Sequence, residues 1–258
     1  MRKAVTRILL ASGAAMLPSW SGPSLANGEE RKVASASGPV MARFWELDVE
    51  PSQLEAFKAI GAENLEASVR REPGVLMMHA VQLADAPTDV RVLEVYANQS
   101  AYDAHIRSPH FQRYKMDSAT MVTSQRPVPI DPILLCAKGG TIAPGDAPGL
   151  MVRIAVIAVD PAQLDAYKSL LTEEQEASVR LEPGVLMLHS FQYADDPAQV
   201  RLLEVYANRE AYQSHLKTPH FLKYKTGTEK MVKSLELLLA KPILLAGKAS
   251  QAGSTACL

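Results

Sequence analysis

The chain has 258 residues, with 27 Lys plus Arg against 28 Asp plus Glu and a formal charge of −1, so it carries neither the basic footprint of a nucleic-acid binder nor an acidic tail. At 47% hydrophobic and 21% charged residues the composition is that of an ordinary globular protein, which excludes disorder, collagen and coiled coil. The length suits one large domain or two small ones.

Residues 1–26 read as a secretory signal peptide. Met1-Arg2-Lys3 and Arg7 supply the basic start, Ile8 to Leu17 the apolar stretch, and Ser24-Leu25-Ala26 the small residues of a cleavage site. The stretch falls short of the roughly 20 apolar residues that a membrane span needs. The expectation is export through a Sec-type route to a periplasmic or secreted location, with no membrane span, followed by a leader segment at 27–40. In such a compartment a disulfide can persist. Cys136 has Ala246 at the matching place of the repeat described next, and Cys257 lies in a Gly/Ser/Ala-rich tail, so unpaired thiols are the expectation.

Residues 41–138 align with 151–248 at a constant offset of 110, without a gap and with about half of the positions identical. Glu72-Pro73-Gly74-Val75-Leu76-Met77 returns as Glu182 to Met187, Leu93-Glu94-Val95-Tyr96-Ala97-Asn98 as Leu203 to Asn208, and Pro109-His110-Phe111 as Pro219-His220-Phe221. Two copies of about 100 residues are too few for a solenoid, so these are tandem domains with a linker at 139–150 and a flexible tail at 249–258.

Within each copy the pattern runs strand, helix, strand, strand, helix, strand. In the second copy Val152–Val159 is an apolar strand, and Pro161 opens a helix that buries Leu164, Tyr167, Leu171 and Val179 until Glu182-Pro183-Gly184 ends it. Val185–Tyr193 and Val200–Tyr206 form a hairpin. Asn208 caps a second helix, Thr218-Pro219 restarts a helical segment, and a last strand lies around 242–245. This βαββαβ order is ferredoxin-like, an α+β class. Both faces of the first strand are apolar although the helices cover only one. The two sheets are therefore expected to pack face to face as an intrachain pseudo-dimeric α+β barrel. Further self-association stays open.

Candidate functional residues are polar groups that interrupt apolar strands or recur in both copies. Glu94 and Glu204 alternate with Val, Leu and Tyr, and His79 and His189 with Val, Met and Phe. All six histidines form repeat pairs: His79 with His189, His105 with His215, His110 with His220. Histidine suits proton transfer near neutral pH. A metal site is not expected, because five residues and a proline separate His105 from His110, unlike the same-face spacing of a helical ligand pair. Asn98 and Asn208 read as helix caps, and Tyr102 and Tyr212 as core aromatics or as hydroxyls offered to a pocket. No phosphate loop, nucleophile elbow, CxxC pair or dinucleotide fingerprint occurs.

Together the Glu-Pro-Gly-Val-Leu block, the Leu-Glu-Val-Tyr-Ala-Asn strand end, Ala101-Tyr102 with His105, and Ser108-Pro109-His110-Phe111 resemble the antibiotic biosynthesis monooxygenase (ABM) domain, closest to its quinol monooxygenase branch. The resemblance implies a dimeric α+β barrel with a ligand cavity in each half. It also implies oxidation of a quinol or related electron-rich aromatic by O2 with no cofactor. On that basis His110 and His220 are the expected bases, with His105 and His215 as runners-up. Asn98, Asn208, Tyr102, Tyr212, Glu94, Glu204, His79 and His189 are the expected substrate-binding groups. Some family oxygenases carry Trp where this chain has Tyr102 and Tyr212. The haem-degrading members use an Asn on the first strand, where this chain has Arg43-Phe44-Trp45 and Arg153-Ile154-Ala155, so haem degradation is disfavoured. Trp45 becomes Ala155, so the two cavities need not be equal. The alternatives are an exported module that binds a quinone-like molecule without turnover, or an isomerase of the same fold.

Overall fold

The computed structural model describes residues 39–138, 149–248 and 255–258. The expected signal peptide, nearly all of the leader segment, most of the linker and the start of the tail lie outside the described residues. The first copy consists of β1 (Met41–Val49), α1 (Leu54–Arg71), β2 (Val75–Leu83), β3 (Asp89–Tyr96), α2 (Gln99–His105), α3 (Pro109–Asp117) and β4 (Val122–Lys138). The second repeats it as β5 (Met151–Val159), α4 (Leu164–Leu181), β6 (Val185–Tyr193), β7 (Gln199–Tyr206), α5 (Arg209–His215), α6 (Pro219–Thr228) and β8 (Val232–Gly247), and β9 (Thr255–Cys257) follows.

Local chemistry sets the boundaries. Pro51 and Pro161 each open one turn of 3₁₀ helix that leads into the long helices α1 and α4. The Asn98 side chain accepts a hydrogen bond from the Ala101 N–H at 3.0 Å and that of Asn208 from Ala211 at 2.7 Å, so both asparagines are N-caps. Ser108 and Thr218 cap α3 and α6 in the same way, each with Pro at the first helical position.

The strands form one closed antiparallel ring in the order β1-β3-β2-β8-β5-β7-β6-β4, with β4 returning to β1. Closure depends on the two last strands, which are much longer than the four-residue segment expected at 242–245. β4 pairs with β1 as far as Ile130 and then, from Ile130 to Ala137, with β6 of the other half. β8 pairs with β5 up to Ala240 and then with β2 from Ala240 to Gly247. The halves are thus joined edge to edge by exchanged strands as well as by packed faces.

The ring interior is filled from both halves, with Phe44 and Phe191 in contact at 5.0 Å between ring centroids. The outer face of each half is covered by its own helices. Both sheet faces are therefore buried, as the apolar residues on both faces of β5 demand. Among the described residues no helix is long and apolar enough to cross a membrane.

The cysteines depart from expectation. Cys136 and Cys257 form a disulfide, because residues 255–257 are not a free tail but a strand paired to the end of β4. Reciprocal backbone hydrogen bonds of 3.0 Å between Leu135 and Leu258 hold that strand in place. Spacing alone does not show the pairing, since it arises from a strand too short to leave a hydrophobic period.

Candidate functional site

In each half the Glu-Pro-Gly turn after the long helix is pressed against the short second helix. A Cβ on Gly74 would lie 2.4 Å from the Ala101 Cβ, and one on Gly184 equally close to Ala211, so only glycine permits this approach. The approach places Glu72 under two histidines. Its Oε1 lies 2.8 Å from His105 Nδ1 and 2.7 Å from His110 Nε2, and Glu182 holds His215 and His220 at 2.9 and 2.6 Å. Burial would raise the Glu72 pKa, but the hydrogen bonds and charges of the two histidines outweigh it and hold the carboxyl below its ordinary value. An ionised carboxylate only accepts, so His105 Nδ1 and His110 Nε2 carry the protons of these bonds.

Each Glu-His-His group has its ligand atoms within 4.8 Å of one another and includes the residue types of a metal centre. The oxygen-to-nitrogen distances are those of hydrogen bonds. A tetrahedral ion with ligands at about 2.1 Å would set its ligand atoms roughly 3.4 Å apart. A cation could enter only by displacing both protons and spreading the three side chains.

A cavity of about 660 Å³ opens beside this group in the N-terminal half, between α1, α3 and the outer face of the sheet. Phe57, Leu47, Val92 and Ile243 contribute its apolar wall, and Trp45, Asn64, Glu94, Tyr102 and His105 its polar one. Glu94 Oε2 accepts hydrogen bonds from Trp45 Nε1 at 3.1 Å and from the Tyr96 hydroxyl at 3.0 Å. Its carboxyl is raised above the ordinary value, because burial outweighs the opposing effects of His105, the two donors and Arg43. The Arg43 guanidinium stacks over the Tyr102 ring at 4.2 Å, which fixes the ring at the cavity wall.

His105 Nε2 and Asn64 Oδ1 are both buried in the protein and without a hydrogen-bond partner, and both residues line the cavity. With Nδ1–H committed to Glu72, the neutral imidazole has its lone pair on Nε2. The arrangement is a carboxylate-oriented imidazole whose second nitrogen is unpartnered and buried next to the cavity, and which could take a proton from a bound hydroxyl once the wall shifts to expose it.

Of the residues singled out from sequence, Glu94, Tyr102 and His105 meet at this cavity. His110 stands behind His105 on the same carboxylate and is not part of the wall. Asn98 and Asn208 have their side-chain oxygens committed to helix caps. His79 and His189 lie inside the ring, rings 5.3 Å apart, and do not line the cavity. Burial, then the neighbouring imidazole, pushes His79 well below its ordinary value, and burial pushes His189 down to about 4. In the second half His215 keeps its bond to Glu182 and Glu204 its bond from the Tyr206 hydroxyl at 3.1 Å, and Arg153 lies 4.5 Å over Tyr212. Sequence reasoning missed Glu72 and Glu182 as more than helix ends, and also Asn64 and Gly61. A glycine inside an otherwise continuous helix, costly by about 1 kcal/mol, was the available clue to the last of these.

Comparison with known proteins agrees with this architecture. The family model described as antibiotic biosynthesis monooxygenase matches residues 41–116 and again 150–227. Among solved structures, a monooxygenase-like protein of Lactobacillus acidophilus NCFM superimposes with a TM-score of 0.76 at 24% identity, covering 84% of this chain and 99% of its own. A second, from Fusobacterium nucleatum, gives 0.73 at 17% identity over 84% and 97%. An anthrone oxidase-like protein gives 0.54 at 11% over 85% and 98%. At these identities the likeness is one of fold. No curated protein matches the chain at a significant level. The two family matches together span more than half of the sequence, one on each half of the ring, and the chain belongs to the antibiotic biosynthesis monooxygenase family.

Proposed function

We propose that the protein oxidises a quinol or a related electron-rich phenolic with O2 in the N-terminal cavity, with His105 as the base. The observation that carries this reading is His105, which lines a cavity of about 660 Å³ with its buried Nε2 unpartnered and its other nitrogen fixed by Glu72, so that a small movement of the wall would bring Nε2 to a bound hydroxyl. Family membership and the fold shared with an anthrone oxidase-like protein are consistent with it.

His105 Nε2 takes the phenolic proton, and the electron-rich anion passes one electron to O2. The aryloxyl radical and superoxide recombine at a ring carbon as a peroxide. Cleavage of its O–O bond leaves one oxygen as the new carbonyl and releases the other as water, with the ring hydrogen and the phenolic proton. The apolar wall excludes bulk water while Tyr102 and Glu94 offer hydrogen-bonding groups to the substrate oxygens. The Cys136–Cys257 bridge and the basic, apolar start of the sequence support an exported location.

The test is O2 uptake by the purified protein against a panel of hydroquinones in chelator, corrected for autoxidation. Uptake that His105→Gln lowers by about 10²-fold or more supports the reading. Uptake no faster than autoxidation across the panel, or uptake that His105→Gln leaves unchanged, overturns it.

A further inference from the structure

We infer that the cavity beside the Glu-His-His bridge exists only in the N-terminal half, and that in the C-terminal half Leu171 and Tyr167 fill the matching volume, leaving an opening of about 390 Å³ between α4 and β4 that Ile133, Lys168 and Thr172 line and that reaches none of His215, Glu204 or Tyr212. This deepens the proposed function, resting on it only in treating the cavity as a ligand site. The offset of 110 makes the comparison residue by residue. Gly61 on α1 lines the cavity, and a Cβ there would meet nothing closer than the Tyr114 ring at 4.0 Å. Its counterpart on α4 is Leu171, fully buried. Phe57 becomes Tyr167, also fully buried, whose added hydroxyl reaches that of Tyr224 at 2.8 Å and ties α4 to α6.

The rest of the wall follows. Leu47 and Val92 become Ile157 and Leu202, and with Leu171, Tyr167 and Ala155 these form one packed cluster where the first half has an opening. The indole volume lost at Ala155 is offset by side chains that Gly61 and Val92 do not supply.

The polar wall is changed in the same direction. Asn64 becomes Glu174, whose Oε1 is 3.7 Å from His215 Nε2 and accepts from Ser178 at 2.6 Å, so the histidine nitrogen that is bare in the first half has a carboxylate beside it in the second. Leu65 and Ala80 become Gln175 and Ser190, bonded to each other at 2.6 Å. Ala155 also leaves Glu204 without the indole donor that Glu94 has. What both halves keep is the Glu-His-His bridge, the capping asparagines and the Arg-on-Tyr stack. Those shared groups hold the helices to the sheet, and the residues that differ decide whether a ligand enters.

The experiment transfers one residue of the plugged half into the open one. Full-length protein and its Gly61→Leu variant are titrated with 2-methyl-1,4-naphthoquinone by calorimetry. The inference expects one equivalent per chain for the parent, binding weakened at least tenfold in Gly61→Leu, and an unchanged or higher Tm for the variant. Two equivalents per chain, or Gly61→Leu binding as the parent does, overturns it. If the quinone binds nowhere, the aromatic-substrate reading fails, and xenon-pressurised crystals then decide the inference separately. Xenon in the N-terminal half alone sustains it, and xenon in both halves, in the C-terminal half alone or in neither overturns it.

Discussion

Glu72 shows how one residue can matter without touching a ligand. Its carboxylate is shared by two histidines, of which only His105 lines the cavity, so under the proposed function His105 is the base and His110 a supporting group. His105→Gln is accordingly expected to remove O2 uptake, whereas His215→Gln, in a half whose matching volume is packed, leaves kcat within about twofold and costs stability instead; parallel kcat and Tm measurements on the two variants check this. The histidines inside the ring make a separate prediction. His79 and His189 are held neutral by burial, with folded pKa values below the ordinary 6.5 of the unfolded chain. The unfolded state therefore binds more protons as pH falls below about 6.5. The stability of the neutral pair is fully present above that pH and is lost progressively as pH falls toward the folded value of about 4 at His189. His215 runs the other way: burial alone would lower its pKa, but Glu182, Glu174 and Glu204 raise it, so its contribution is fully present below 6.5 and is lost as pH rises through its folded value. Chemical denaturation between pH 7 and 4.5 should show His79→Leu/His189→Leu with a flatter loss of stability than the parent. Parallel curves for the two proteins would mean the pair does not set the acid limit.

At the scale of elements, the exchanged strands do more than close the ring. Lys248, just beyond β8, donates to the carbonyls of Glu72 and Pro73 at 2.7 and 2.8 Å, and Lys138 at the end of β4 reaches the Glu182 carbonyl. Each half's last strand thus caps the turn that sets the other half's histidine bridge. Lys248→Met should lower stability by about 1 kcal/mol, the worth of charge-assisted bonds at an exposed site, and should loosen Glu72 more than Glu182. The imidazole resonances of His105 and His110, followed by NMR, would report this, and shifts equal in the two halves would count against it. Gly74→Ala attacks the same turn sterically. With a Cβ 2.4 Å from that of Ala101, the turn and α2 must part, at a cost of about 1–3 kcal/mol read from urea unfolding. The helices and hairpins of both halves were legible because each carries its own period and its own punctuation: Pro161 at an entry, Asn208 and Thr218 as caps, Glu182-Pro183-Gly184 as a stop. The long strands were not. Their first halves, such as Val232 to Leu239, lie at an edge of the sheet and expose Leu235, Leu237 and Leu239, so burial imposes no alternation that could be read from sequence.

Over the whole molecule, the repeat and the two apolar faces of the first strand in its second copy were enough to reach a closed pseudo-dimeric barrel, because a sheet with two apolar faces and helices on one must find a second cover. What could not be reached that way was asymmetry. About half of the positions are identical, and nothing local in Leu171 says that its counterpart, Gly61, has no side chain to fill the same volume. The disulfide is asymmetric too, since Ala246 stands where a second bridge would need a cysteine. It ties β9 to the strand that crosses from one half to the other, at a sequence separation of 121 that spans the entire second copy. A cross-link over a loop of that length restricts the unfolded chain by about 4–5 kcal/mol in the chain-entropy account, against the 5–15 kcal/mol that holds a typical domain together. Cys257→Ser is therefore expected to lower the urea midpoint by an amount equivalent to about 2–5 kcal/mol, with β9 released. The N-terminal cavity lies on the helical face of the other half, so naphthoquinone affinity and stoichiometry should stay as they are. A loss of binding in Cys257→Ser equal to its loss of stability would show that the bridge shapes the cavity, and an unchanged midpoint would show that the crossing strands hold the ring without it.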